Sequence, residues 1–235
     1  MKKLVGILIM IALLAGINAG YADPYEKPIL FRGVEWGASC AAFENGVFPD
    51  GLQFYNAKLL DSWHSVANML YDGADIRYKG EFGFYYRPLP SSIKKLGLKV
   101  AGYPVDDLYL YFTFLPGDDG ILVKDTIHSS FIYGYYKIEP NDPEGTYSDL
   151  LNKLTSLYGD VDYSTAKSPY ISYTYNLWNG ADGTMVCLEK EDYPSGSHYI
   201  YIKYSFAGAD DIIKTAYDAF VFEETRNAAS DTSGL

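Results

Sequence analysis

Cysteine occurs twice and histidine three times in 235 residues, and basic residues are outnumbered 19 to 30 by acidic ones. Each scarcity removes a class of function. His64, His128 and His198 fall into no HxxxH or HExxH spacing, and Cys40 and Cys187 make no CxxC pair. The sequence therefore carries no zinc signature. No phosphate-cradling glycine loop is present, and no cofactor is expected. The formal charge of −11 argues against nucleic acid, whose binding rests on Lys and Arg neutralising phosphates. It argues equally against an anionic membrane surface.

Long apolar runs are also missing, with one exception at the N-terminus. Met1-Lys2-Lys3 precedes an apolar stretch from Leu4 to Gly16, and Gly20 and Ala22 supply small residues near a cleavage point. These are the parts of a secretory signal, and the stretch is short for a spanning helix. Residues 1–22 are read as a signal peptide, with Asp23 as the mature N-terminus and no membrane span after cleavage. An exported, extracellular or cell-envelope location follows. Removal of Lys2 and Lys3 takes 19 basic residues to 17 and the charge from −11 to −13. Two cysteines in an exported chain allow one disulfide, Cys40–Cys187, which is the expectation; two buried thiols are the alternative.

Aromatics, by contrast, are abundant: 17% of residues, with 24 tyrosines. Tyrosine suits half-buried strand positions, where the ring packs and the hydroxyl reaches water. Residues 23–30 read as an extended lead-in, 31–227 as an α+β domain and 228–235 as a disordered tail. Within the domain, helical spacing covers Asp61–Tyr71, Tyr147–Tyr158 and Asp210–Asn227. Thr146 with Asp149 three positions on matches a capping box for the second of these. Strand patterns cover Glu81–Arg87, Leu96–Gly102, Val105–Leu115, Ser129–Ile138, Ile171–Leu177, Thr184–Lys190 and Ile200–Phe206. The fold class expected is α+β, with antiparallel sheet covered on one face by helices. Asp61–Gly73 and Ser148–Gly159 both end in Leu-Tyr before glycine. Two helix-plus-meander units, in halves 31–139 and 146–227, would explain this.

Phe31-Arg32-Gly33-Val34-Glu35-Trp36-Gly37 resembles the Phe-Arg-Gly-x-x-Trp-Gly opening of uncharacterised bacterial secreted or envelope proteins. The Tyr147–Gly159 helix resembles one in the same group. The resemblance implies a helix followed by sheet, a plan similar to that of beta-lactamase inhibitor proteins and small outer-membrane assembly lipoproteins. It implies no catalytic residue.

Catalytic patterns are thin. Ser195-Gly196-Ser197-His198 lacks the Gly-x-Ser-x-Gly elbow that exposes a nucleophile. Asp118-Asp119 and Asn141-Asp142-Pro143-Glu144 lack the alternating ligand order of a calcium loop. No catalytic and no metal-ligating residue is assigned. Aromatic surface remains. Tyr109 and Tyr111 alternate with Leu108, Leu110 and Phe112, and Tyr199 and Tyr201 alternate with Ile200 and Ile202, which places all four on the face opposite the core. Trp178, at a strand end, is read as exposed. These five are the candidate binding residues, for an unknown extracellular or envelope protein, peptide or glycan. The function expected is non-catalytic binding or interaction, with a cell-envelope hydrolase and a structural or assembly role as alternatives.

Overall fold

The structure, a computed structural model, describes residues 30–32, 34–41, 58–63, 78–167, 172–180 and 183–232. The expected signal peptide and most of the lead-in lie outside the described residues. Alternating apolar and polar positions produce strands where the sequence places them. In chain order the strands are β1 (Leu30–Phe31), β2 (Val34–Glu35), β3 (Lys58–Trp63), β4 (Tyr78–Tyr86), β5 (Lys99–Val100), β6 (Tyr103–Pro104) and β7 (Asp107–Pro116). They continue as β8 (Leu122–Val123), β9 (Ser129–Ile138), β10 (Tyr163–Lys167), β11 (Ser172–Asn179), β12 (Thr184–Asp192) and β13 (His198–Phe206). The helices are α1 (Pro90–Leu96), α2 (Pro143–Tyr158) and α3 (Ala209–Thr232). The expected α+β class is the observed one. No described helix is long and apolar enough to cross a membrane.

One antiparallel sheet runs in the order β10-β11-β12-β13-β9-β7-β4-β3, with β8 paired to the end of β7. The order is palindromic about the β13–β9 seam. Strands β3, β4, β7 and β9 come from the first half of the chain and β10 to β13 from the second. Each half is a meander, and the last strands of the two meanders meet antiparallel, as a two-fold axis between them produces. The helices cross over that axis. Helix α2, which follows β9, packs on β12 and β13; α3, which follows β13, packs on β7 and β4.

Both helices lie on one face of the sheet. Under α3, Phe82 touches Tyr217 and Phe220 at ring-centroid distances of 5.6 and 6.0 Å. Under α2, Trp178 Nε1 donates to Gly159 O at 3.1 Å and Asn176 Nδ2 to Tyr147 Oη at 2.5 Å. Leu108, Leu110, Phe112, Ile200 and Ile202, all fully buried, complete this core layer. Phe31 closes it from the N-terminal side, stacking on Tyr136 at 5.3 Å.

Several local expectations change. Helix α2 begins a turn before the expected start, because Asp142 accepts from Gly145 N–H at 3.0 Å and Pro143 occupies the first turn. That pairing is a stronger start signal than the Thr146 box, and Thr146 is buried within the helix. The strand expected at Leu96–Gly102 is instead the end of α1, capped by left-handed Gly97, and the β5–β6 hairpin. Ala101 and Gly102 turn that hairpin with φ of 50° and 91°, the primed geometry that a two-residue turn requires. The helix expected from Asp61 is strand β3 up to Trp63, paired to β4; residues 64–71 lie outside the described residues. Helix α3 runs to Thr232, so residues 228–232 of the expected disordered tail are helical.

The expected Cys40–Cys187 disulfide is not formed: both cysteines are buried and no sulfur–sulfur bond joins them. Cys187 lies opposite Lys203, and Lys203 opposite Tyr135. Cys40 N–H donates to Ser129 Oγ at 2.9 Å, six residues and about 20 Å further along β9. A bridge requires Cα atoms within about 7 Å.

Candidate functional site

The sheet face turned away from α2 and α3 is built by the alternate residues of β4, β7, β9, β12 and β13. Its register follows from the ladder: Tyr85 opposite Tyr111, Tyr109 opposite Tyr135, Tyr111 opposite Tyr133, and Tyr135 opposite Lys203. A bulge between Tyr111 and Phe112 absorbs Ile132. Phe131 can therefore face the helices while Tyr133 and Tyr135, of the same parity, face the other way.

Eight tyrosines form one connected array on this face. Tyr109 stacks on Tyr135 at 4.8 Å and 20°, and Tyr85 contacts both Tyr109 and Tyr111 at 5.9 and 5.6 Å. Tyr111 meets Tyr133 at 5.1 Å. Across the seam, Tyr135 meets Tyr201 edge-on at 5.6 Å. Tyr201 then contacts Tyr199 at 6.5 Å, and Tyr199 contacts Tyr193 at 5.5 Å. Tyr133 is buried and the other seven are half-buried. Where they meet, the rings of Tyr85, Tyr109, Tyr111 and Tyr135 lie within 33° of parallel, whereas Tyr133 is tilted by 54° and 58° to its neighbours.

Burial raises six of these phenols, Tyr109, Tyr111, Tyr133, Tyr135, Tyr193 and Tyr201, and favours their protonated form. It pushes Tyr109 up to about 12, helped by the Asp107 carboxylate and opposed by the Arg87 guanidinium. Burial is also the leading cause that raises Tyr193 to about 12, with its hydrogen bond to Glu191 next. Tyr111, Tyr133, Tyr135 and Tyr201 are raised further, again chiefly by burial. The face therefore presents hydroxyl donors throughout the neutral range.

Cations and carboxylates are interleaved with the rings, and each cation has both an aromatic and an acidic partner. Arg87 lies 5.3 Å from the Tyr109 centroid and its Nε donates to Asp107 Oδ1 at 2.9 Å. Lys137 sits 3.7 Å from the Tyr199 centroid and pairs with Glu139 at 2.9 Å. Lys203 lies 5.5 Å from the Tyr201 centroid and pairs with Glu189 at 2.7 Å, with side chains 9% and 1% exposed. Glu191 accepts from Tyr193 Oη at 2.9 Å and Tyr201 Oη at 3.1 Å.

Of the five residues singled out by sequence, four lie here. Tyr109, Tyr111, Tyr199 and Tyr201 share the face and are linked through Tyr135. Trp178 does not belong with them: it points under α2 and is 2% exposed. The sequence reading missed Tyr85, Tyr133, Tyr135 and Tyr193. The bulge hid Tyr133 and Tyr135 by breaking strict alternation along β9.

The histidine and serine positions make a different geometry. His198 Nδ1 lies 2.7 Å from Asp192 Oδ1, and Ser195 Oγ donates to Ser197 Oγ at 3.3 Å on the turn of the same hairpin. No hydrogen bond joins either serine to the ring. His128 pairs with Asp125 in an exposed loop, and His64 lies outside the described residues. Among the described residues no group of three His, Cys, Asp or Glu side chains gathers to hold a metal ion. Compared with models of protein families, with curated proteins and with solved structures, the chain matches none.

Proposed function

We propose that this chain is an exported, non-catalytic binding protein that engages its ligand through the tyrosine face of the sheet. One observation carries the reading: a connected array of eight tyrosines, seven on strands β4, β7, β9 and β13 and Tyr193 just past β12, all but Tyr133 half-buried, on the face the helices leave to them. A sheet of this size can be stabilised by its helix-side core, and tyrosine offers contact area at low entropic cost where a partner is to be bound. A serine hydrolase would need its nucleophile bonded to a base, and Ser195 and Ser197 make no such bond to His198. Export is supported by the N-terminal sequence pattern, and sequencing the N-terminus of the secreted product tests it, with Asp23 expected.

The binding reading is tested by retention of the purified protein on isolated cell-wall and extracellular material, beside a Tyr109→Ser/Tyr199→Ser double variant. Retention of the unaltered chain with loss in the variant is expected. Equal retention of both would refute the assignment of the face.

A further inference from the structure

The ligand class can be narrowed from the same face, and the narrowing rests on the reading just given. We infer that the tyrosine face takes a short, neutral, polyhydroxylated ligand, an oligosaccharide or a stretch of polysaccharide.

Three observations lead there. The first is charge. Arg87, Lys137 and Lys203 are each paired to a carboxylate among the rings, and Glu191 is held by two tyrosyl hydroxyls. Toward the β3 edge of the same face stand Lys58, opposite Tyr85, and Lys79 and Glu81 of β4, so five cations against five carboxylates leave the face neutral. An ionic ligand among the rings would have to break pairs already made, one of them almost fully buried. Despite the acidity of the whole chain, this surface has little with which to select a polyanion or a polycation.

The second is area. Strands lie about 4.8 Å apart and outward residues about 6.6 Å apart along each strand, so the array covers roughly 300 Å². A stable protein partner requires about 800 Å² on each side. The patch is too small to hold a folded protein and is of the size expected for one chain laid across it.

The third is hydrogen bonding. Strands β4, β7, β9 and β13 are paired on both edges, so no main-chain ladder is open at the array to receive an extended peptide. A peptide lying there would bury its own amides without partners. The rings present hydroxyls beside Glu191, a carboxylate already oriented by two of them. Hydroxyls of a saccharide both donate and accept, and match such a surface.

The test is affinity electrophoresis of the exported protein in native gels. The gels contain hydroxyethylcellulose, dextran, galactomannan, mannan or amylopectin, at low and at high salt, with polygalacturonate and polylysine as charged comparisons. A pool of synthetic peptides of neutral, acidic and basic composition is titrated in parallel. Retardation by at least one neutral polymer, unchanged by salt and weakened about tenfold by Tyr199→Ser, is the expected result, a contact worth about 1.4 kcal/mol. Tyr199→Phe, which keeps the ring, should retain part of the retardation, and circular dichroism establishes that both variants fold. Retardation by no neutral polymer, or by charged polymers alone with steep salt dependence, overturns the inference. Peptide binding that the tyrosine variants abolish overturns it too, while leaving the face itself as the binding site. Neutral-polymer binding indifferent to the variants sinks the assignment of the face as well.

Discussion

Replacing Lys203 by methionine isolates the most heavily buried charges of the sheet. Lys203 and Glu189 face each other at 2.7 Å with side chains 9% and 1% exposed. Methionine matches the lysine stem in length but removes the ammonium, so Glu189 loses its cation in a site almost without water. Removing one partner of a buried pair costs about 3–5 kcal/mol, a large part of the roughly 5–15 kcal/mol that holds a domain folded. Urea unfolding followed by tryptophan fluorescence reads the loss directly. With a slope of about 2 kcal/mol per M, the midpoint should fall by about 1.5–2.5 M. Lys203→Met/Glu189→Leu should recover most of it, because an apolar pair of similar volume is often as stable as the ions it replaces. Glu189→Gln alone should cost less than Lys203→Met, since the ammonium keeps the Tyr201 ring at 5.5 Å. A Lys203→Met penalty under about 1 kcal/mol would show the pair to be solvated. A double variant as weak as the sum of its singles would show no coupling between the two charges.

Other perturbations probe different layers. Gly80 has φ of +129°, and a Cβ there would overlap the Phe220 ring of α3. Gly80→Ala should cost at least about 2 kcal/mol and lower Tm in calorimetry by about 4–8 °C, whereas an unchanged Tm would mean that α3 does not seat on β4. Tyr109, Tyr111, Tyr133, Tyr135, Tyr193 and Tyr201 have folded-state pKa values above the usual 10, Tyr109 at about 12. Their unfolded counterparts ionise first, so stability is complete below pH 10 and declines as pH rises from there toward the folded values. Absorbance at 295 nm should show one group of phenols titrating near 10 and a second only at higher pH or on unfolding; a single transition near 10 would contradict the burial. Cys40 and Cys187 should ignore a thiol reagent in the native protein and both react in urea, burial having raised the Cys187 thiol far above its ordinary range. Mass spectrometry showing two fewer hydrogens would instead mean a bridge.

How far the sequence led depends on what each segment had to say. Strands β7 and β13 were legible because Leu108, Leu110, Phe112, Ile200 and Ile202 alternate with Tyr109, Tyr111, Tyr199 and Tyr201. Their faces, and hence Tyr109, Tyr111, Tyr199 and Tyr201, followed directly. In β11 the alternation of Tyr175 and Leu177 with Thr174 and Asn176 reads as a one-sided strand, but Tyr175 and Leu177 are buried on one side and Asn176 and Trp178 on the other, so the strand is covered on both faces. Asn176 tolerates the helix side only by bonding Tyr147, a partner 29 residues away. Strand β10, Tyr163-Ser-Thr-Ala-Lys, carries no apolar alternation because it is a sheet edge with one neighbour. Helix α1 was misread because Leu96-Gly97-Leu98-Lys99-Val100 imitates a strand, although Pro90 at its start and Gly97 at its end mark it as a capped helix.

The crossing of the two helices has a consequence for the order in which the molecule can be assembled. Phe82, Phe84 and Phe112 belong to strands made from the first half, yet the cover they share with β7 and β4 comes from α3, beginning at Ala209. During synthesis the first meander could form its ladder and still have no lid. Its apolar side stays wet until nearly the whole chain is available. Such a polypeptide commits late and all at once, through contacts of large sequence separation, and folds slowly for that reason. A nascent chain that delays closure in this way remains threadable for most of its synthesis, which is the condition a secretion pore imposes on its cargo.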